Sequence, residues 1–339
     1  MFTCKRKLKY ASITAMSVNL LATPECPLFS IVIPVHNDAG NVTTAVQSIL
    51  ADHQTPIEII LVENGSSDLS WEACQSLSQK YPGIVVATQN CQLGVAAARN
   101  AGLKLVKGEI VGFCDADDAY KPGVLLKIAK LFEHNTYDII VTGLDSVSLS
   151  GKHTPMHVKE TEVYSAREIQ ERMLYQDCIM GSVWNKFFRK ELISGISFCE
   201  KLTHCEDMHF VSQILKSYPN AKVLLSSDIT YEYRENPASA TRNPLRLIDE
   251  SGRLKYMLAL DGILQLYPYD YKIWLLVRSS QFRIIEENID QFVNLPNVIR
   301  RLVRASLNYI PAYLICRKRH PLRERWNRVV HCLKYLWVK

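Results

Sequence analysis

The chain has 339 residues, 47% hydrophobic and 22% charged, the composition of an ordinary globular protein with room for one large domain plus an appendage, or for two domains. Ten cysteines occur without a Cys-x-x-Cys pair in a chain too long for a disulfide scaffold, so a reducing compartment is expected. The net charge of +6 is uneven: residues 300–339 carry eleven Lys and Arg against Glu324 alone, a net +10, which leaves the first 299 residues at −4 and points the tail toward an anionic partner.

Residues 1–26 contain a basic cluster (Lys5, Arg6, Lys7, Lys9) and a stretch too polar at its centre for a signal peptide, and read as a flexible extension. Phe29–Val35 is an apolar run that Pro34 closes as a strand. His36-Asn37-Asp38 follows, and Val42–Leu50 has helical spacing. Ile57–Val62 predicts a second strand, closed by Glu63-Asn64-Gly65-Ser66, and Trp71–Tyr81 a helix. Ile84–Ala87 reads as a third strand and the Ala-rich 94–106 segment, with Arg99, as a third helix. Ile110–Cys114 is a fourth strand that runs into Asp115, Asp117 and Asp118. Strand–helix alternation of this kind predicts an α/β fold with a mostly parallel, Rossmann-like sheet flanked by helices. Ligands bind such sheets beyond the carboxyl ends of the strands, where these polar residues cluster.

Several carboxylates at one strand end repel one another unless a cation sits between them, and hard oxygen ligands suit Mg²⁺ or Mn²⁺. The alternative is an acidic cap on the helix beginning near Pro122. The dinucleotide fingerprint Gly-x-Gly-x-x-Gly and the phosphate loop Gly-x-x-x-x-Gly-Lys-Ser/Thr are both absent after the first strand. His204, Cys205 and His209 match no usual zinc spacing.

The segments Phe29-Ser-Ile-Val-Ile-Pro-Val-His-Asn37, Glu58-Ile-Ile-Leu-Val-Glu-Asn-Gly-Ser-Ser-Asp68, Leu93-Gly-Val-Ala-Ala-Ala-Arg-Asn-Ala-Gly102 and Phe113-Cys-Asp-Ala-Asp-Asp118 closely resemble, in order and spacing, family-2 glycosyltransferases. The resemblance continues through Trp184-Asn185-Lys186, Glu206-Asp207 and the closing segment Tyr231–Thr241. It implies a GT-A fold, a nucleotide-sugar donor (a UDP-sugar above all) and a divalent cation, Mn²⁺ or Mg²⁺. By the same resemblance the metal falls to Asp117 and Asp115, and the general base, with inversion at the anomeric carbon, to Asp207 with Glu206 beside it. Nucleotide-sugar contacts fall to Pro34, His36, Asn37, Glu63, Asn64, Arg99, Asp115, Arg234 and Ser239, and the acceptor side to Trp184, Asn185 and Lys186. The chain departs from the family at Glu63-Asn64, where Asp-Asp is common, and at Asn236, where His is common. These departures keep a catalytically silent nucleotide-sugar-binding module open as an alternative; a nucleotidyltransferase would carry a basic, Gly-rich first loop that Pro34-Val-His-Asn37 lacks.

The expected organisation is an extension (1–26), a catalytic domain (27–245, with a nucleotide half 27–122 and an acceptor half 123–245) and a helical, basic region (246–339). Arg323–Lys339 reads as amphipathic: Trp326, Val329, Val330, Leu333 and Trp337 form one stripe, with Arg325, Arg328, Lys334 and Lys339 off it. That pattern suits an interfacial helix on an anionic membrane, or a helix packed on the protein. No nucleic-acid motif accompanies the basic residues. The expectation is a cytoplasmic enzyme, peripheral on the inner face of the membrane, acting on a glycan or lipid-linked acceptor in surface polysaccharide synthesis.

Overall fold

The structure is a computed structural model that describes residues 27–52, 55–134, 136–174, 181–236, 255–288, 302–305, 307–315 and 322–333. The first four strands are β1 (Phe29–Val35), β2 (Ile57–Glu63), β3 (Val85–Gln89) and β4 (Ile110–Phe113), alternating with helices α1 (Val42–Leu50), α2 (Ser70–Lys80) and α3 (Val95–Leu103). Then come β5 (Ala119–Tyr120), α4 (Val124–His134), β6 (Ile139–Val147), β7 (His153–Met156), β8 (Glu162–Ser165), α5 (Ala166–Met173), β9 (Lys186–Arg189), α6 (Lys190–Ile193), α7 (Glu206–Ser217) and β10 (Lys222–Arg234).

All these strands form one sheet in the order β3-β2-β1-β4-β9-β6-β10-β5, with β7 beside β6 and β8 beside β10. β1, β2, β3, β4, β6 and β10 run in one direction and β9 runs against its neighbours β4 and β6. The mostly parallel sheet expected from the alternation, in the GT-A-like arrangement that the resemblance implies, is what the structure shows.

Both faces are covered, which is why these strands read as unbroken apolar runs. Alternate residues of β1 serve opposite faces. Phe29, Ile31, Ile33 and Val35 pack with α1, α2 and α4, whereas Val32 packs with α3, α5 and α7. Helix α3 lies close against the sheet because Gly102 has no side chain; a Cβ there would lie 2.4 Å from Val32 Cγ1. Within β10 the register to β6 shifts between Leu225 and Ile229 and again before Tyr231. Such bulges re-aim a strand beside a site, and here Tyr231 ends fully buried beneath the acidic turn.

Helices α8 (Tyr256–Leu266) and α9 (Tyr271–Asn288) pack behind α7 and α5. Arg167 on α5 pairs with Asp270 at the α8–α9 turn, and Ser280 Oγ donates to Leu174 O at 2.5 Å. The helices Ile310–Ile315 and Leu322–Leu333 close a small core around Phe282, Tyr313, Val329 and Cys332. The apolar stripe expected on the last helix is therefore split. Val329 is buried while Trp326 and Val330, four residues apart, are each 53% exposed. Arg325, expected on the polar face, is buried, its guanidinium donating to the carbonyls of Tyr313 and Leu314, the last turn of the preceding helix. Among the described residues no helix is long and apolar enough to cross a membrane.

Candidate active site

The carboxyl ends of β1, β2 and β4 open onto a cleft of about 1000 Å³. Pro34, His36, Asn37 and Asp38 line it from β1, Asn64 from β2, Leu93 and Gly94 from the start of α3, and Asp115 and Asp117 from β4. The opposite wall is Ser182 and Trp184, the N-terminus of α7 (Cys205, Glu206, Asp207) and Tyr233 and Asn236 after β10. Among the described residues two non-glycines adopt left-handed backbone, Asn37 and Cys205, both with φ 56°. Each sits at a turn on this cleft, where strained backbone commonly aims a functional side chain. Cys205 directly precedes Glu206 and Asp207, so its turn sets their direction.

An ion network joins the two walls. Arg99, 4% exposed, donates from Nη2 to Asp115 Oδ1 (3.0 Å) and from Nη1 to Glu206 Oε1 (2.6 Å), its guanidinium lying 5.5 Å over the Phe198 ring. Asp207 sits half-buried at the cleft. Burial and then Glu206 push its carboxyl up to about 7, opposed by Arg99, the Met208 N–H at 2.8 Å and Lys186. Tyr231 ties the other end: its hydroxyl accepts from Asp115 N (3.0 Å) and donates to Asp118 Oδ2 (2.8 Å). Asp118 Oδ1 also accepts from Arg234 N (2.8 Å), so this acid fastens β10 to the turn. Burial and Asp115 hold Asp118 up to about 8. Asp117 faces the cleft, accepting from Asn236 Nδ2 at 2.8 Å.

Residues 30–196 match the family model of glycosyl transferase family 2. That segment is a family-2 glycosyltransferase domain. The uncharacterized glycosyltransferase EpsJ of Bacillus subtilis is 26% identical over 294 residues, 84% of each chain. The minor teichoic acid biosynthesis protein GgaB of the same organism is 27% identical over 62% of this chain and 24% of its own length. Among solved structures, S. aureus TarS 1–349 in complex with UDP-GlcNAc aligns with a TM-score of 0.64 and 17% identity, covering 91% of this chain and 90% of that one. The mannosyltransferase PcManGT from Pyrobaculum calidifontis, in complex with GDP-Man and Mn²⁺, aligns at a TM-score of 0.53 and 15% identity, over 99% of this chain and 93% of that one. At these identities the two structures speak to the fold.

Within this family-2 framework, Pro34, His36, Asn37, Asp115, Asp117 and Asp207 all line one cleft. Asn64, Arg99, Trp184 and Glu206 line it as well, each with structural bonds or ring contacts of its own. Arg99 lines the cleft with two carboxylates engaged on its guanidinium, and so bridges the walls. Glu206 and Asp207 both line the cleft, Glu206 buried in that same ion pair and Asp207 half-buried and, among the described residues, without one. Glu63 is turned inward: Oε1 accepts from Ser66 N (2.5 Å) and Oε2 from Gln89 Nε2 (3.1 Å), bonds that pull its carboxyl below the usual range against the opposing effect of burial. Asn64 is a clip, donating to Gln92 O (2.7 Å) and Asn90 O (3.3 Å) and accepting from Gly94 N (2.7 Å). An Asp at this position could not donate to those carbonyls.

On the acceptor side, Asn185 and Lys186 are fully buried behind the wall. Trp184 is 5% exposed and stacks on Tyr231 (4.5 Å) and Tyr233 (5.9 Å), so Tyr233, half-buried, is the outer ring of that ladder. The Arg234 side chain pairs with Glu232 (2.8 Å) away from the cleft lining. Ser239 lies outside the described residues.

Sequence reasoning put Asp38 at the ligand end of the first strand with His36-Asn37 but gave it no role, and it lines the cleft. Burial, then the charges of Asp117, Asp68 and Asp115, raise its carboxyl, while a bond from Asn41 lowers it. It also missed Tyr231, which no local pattern links to an acid 116 positions earlier.

Asp115 and Asp117 fit a divalent cation chemically. Both present carboxylate oxygens to the cleft, and burial and then Asp115 press Asp117 upward, opposed by Asn236, a repulsion that a cation between them relieves. Among the described residues no three His, Cys, Asp or Glu side chains converge as a metal cage. Two carboxylates with substrate phosphate oxygens completing the shell is the usual pattern for Mg²⁺.

Proposed function

We propose that this protein transfers a sugar from a UDP-sugar to a hydroxyl of a glycan or lipid-linked acceptor, with inversion, in the synthesis of a surface polysaccharide. The observation that carries the reading is one cleft lined by Asp115 and Asp117 on one wall and Asp207 on the other. TarS bound to UDP-GlcNAc and GgaB, named for teichoic acid biosynthesis, support the donor and acceptor class.

The acceptor oxygen attacks the anomeric carbon as its proton passes to the Asp207 carboxylate, and the bond from that carbon to the diphosphate oxygen breaks. Asp115 and Asp117 would hold a divalent cation, which would supply charge neutralisation for the leaving diphosphate. Arg99 keeps the two walls in register, and the Tyr231 hydroxyl holds the Asp115 backbone. A base must be ionised, so transfer falls as pH drops below about 7.

The test is thermal stabilisation by UDP, GDP and dTDP, each with and without Mn²⁺. UDP that binds only the folded state at a hundred times Kd contributes about 2.7 kcal/mol. We expect a UDP shift that needs Mn²⁺ and vanishes in Asp117→Ala. No shift with any nucleotide sinks the reading, and binding without transfer or donor hydrolysis returns the silent module.

The +10 tail, with Trp326 and Val330 facing outward on the helix Leu322–Leu333, supports a reaction at the cytoplasmic face of a membrane. Removing residues 300–339 would also remove Val329 and Cys332 from a core, so the cleaner probe is the Trp326→Ser, Val330→Ser double variant. Flotation with phosphatidylglycerol vesicles should be weakened in that variant; equal flotation of both proteins ends the idea.

A further inference from the structure

Leu93, in the turn between β3 and α3, is 70% exposed and lines the cleft. A single exposed leucine is ordinary on a protein surface. This one stands in a concave site, and the backbone on both sides of it is fastened. Asn64 Nδ2 donates to Gln92 O (2.7 Å) and Asn90 O (3.3 Å), and Asn64 Oδ1 accepts from Gly94 N (2.7 Å). Asn90 N donates to Glu63 O (2.9 Å). Gln92 Nε2 donates to Glu200, which also accepts from Asn100 Nδ2 of α3 (2.9 Å). The side chain is seated as well. Leu93 Cδ2 lies over Gly65, where φ is 73°, in the space that a Cβ on Gly65 would fill. A glycine beneath it and a buried amide behind it hold this branched apolar side chain in place, with most of its surface open to the cleft.

The position of Leu93 in the cleft indicates what covers it. The sheet order β3-β2-β1-β4 sets the end of β2 two strands from the end of β4, about 10 Å at the ordinary strand spacing. Asp115 and Asp117 follow β4, and Gly65, under Leu93, follows β2. A nucleoside diphosphate with its phosphates at the two aspartates can run its ribose past Pro34, His36 and Asn37, which line the cleft after β1, and bring its base to the β2 end. Every base has a flat face that packs on such a surface whatever its edge groups are.

We propose that Leu93 is a donor-binding residue: the platform on which the pyrimidine ring of the nucleotide rests, held there by Asn64 and Gly65. The inference rests on the reading of the cleft as a UDP-sugar site and adds the contact that carries the base. Leu93 touches the ring, and Asn64 acts through the loop that it clips.

The experiment is calorimetric titration of the full-length protein with UDP and with inorganic pyrophosphate, each in the presence of Mn²⁺. Leu93→Ala removes an exposed isopropyl group, so the variant should melt as the wild type does. Its UDP affinity should fall about tenfold, while its pyrophosphate affinity holds. Leu93→Met keeps the apolar volume and should bind UDP as the wild type does. Unchanged UDP affinity in Leu93→Ala overturns the proposal. So does an equal loss of UDP and pyrophosphate, which would mean that the loop moved and that no base contact was lost. If Leu93→Ala does not fold, the wild type decides by NMR on leucine methyls, with Leu93 assigned through Leu93→Met. Nuclear Overhauser contacts from uracil H5 and H6 to the Leu93 methyls support the platform, and their absence with UDP bound overturns it. Failure of the underlying reading looks different. A wild type that binds no UDP removes both, whereas one that binds UDP with an indifferent Leu93 removes this inference alone.

Discussion

The donor wall and the acceptor wall of this cleft handle their acidic residues in the same way. On the donor wall Asp117 faces the cleft, while its neighbour Asp118 is buried against Tyr231 and Arg234. On the acceptor wall Asp207 faces the cleft, while its neighbour Glu206 is buried against Arg99. In each doublet one acid is offered to a ligand and the other holds the turn that aims it. Consecutive residues on a turn or a first helical turn point in different directions, so the two cannot share one role. The buried acids differ in what holds them: Asp118 is held by the Tyr231 hydroxyl and the Arg234 N–H, Glu206 by the Arg99 guanidinium.

The comparison breaks most visibly at Asp207. Asp207→Asn should lower transfer on the order of 10²- to 10⁴-fold while UDP still raises the melting temperature; equal loss in Glu206→Gln at unchanged stability would mean that the doublet is not divided. The same variant has a stability signature. The folded protein binds the Asp207 proton up to about 7, against an ordinary value of 3.8, so this group's contribution falls as pH rises through that window. Asp207→Asn should flatten that part of the stability profile.

Next in size is Arg99→Met, which leaves Glu206 and Asp115 without their shared cation and should cost about 3–5 kcal/mol in urea denaturation. A loss under about 1 kcal/mol would reduce the strut to an ordinary surface pair. Asn64→Asp should then cost about 1–3 kcal/mol by setting a carboxylate against the Asn90 and Gln92 carbonyls. If it instead alters nucleotide affinity at unchanged stability, Asn64 reads the base. The smallest effect is expected at Cys205. Cys205→Gly relieves the left-handed turn and should gain less than about 1 kcal/mol, whereas Cys205→Val should lose about 1–2 kcal/mol.

Patterns of apolar spacing and turn residues sufficed for β1 to β4, α1 to α3 and the direction of the sheet, because period and punctuation are local properties. They also brought His36, Asn37, Asp115 and Asp117 to one edge of the sheet, since strand ends are where a chain must turn toward a ligand, whereas Asp207 came from the family resemblance alone. What each polar residue does there was decided elsewhere. Arg99 meets Glu206 across 107 positions and Tyr231 meets Asp118 across 113. Trp184 became core only when Tyr231 and Tyr233 stacked on it. On the last helix the sequence determined an amphipathic stripe, yet tertiary packing chose its inner face, sinking Arg325 beside Val329 and turning Trp326 outward. A side chain's periodicity is written in its neighbours along the chain; its hydrogen-bond partner and its exposure depend on groups that only folding brings within 3 Å.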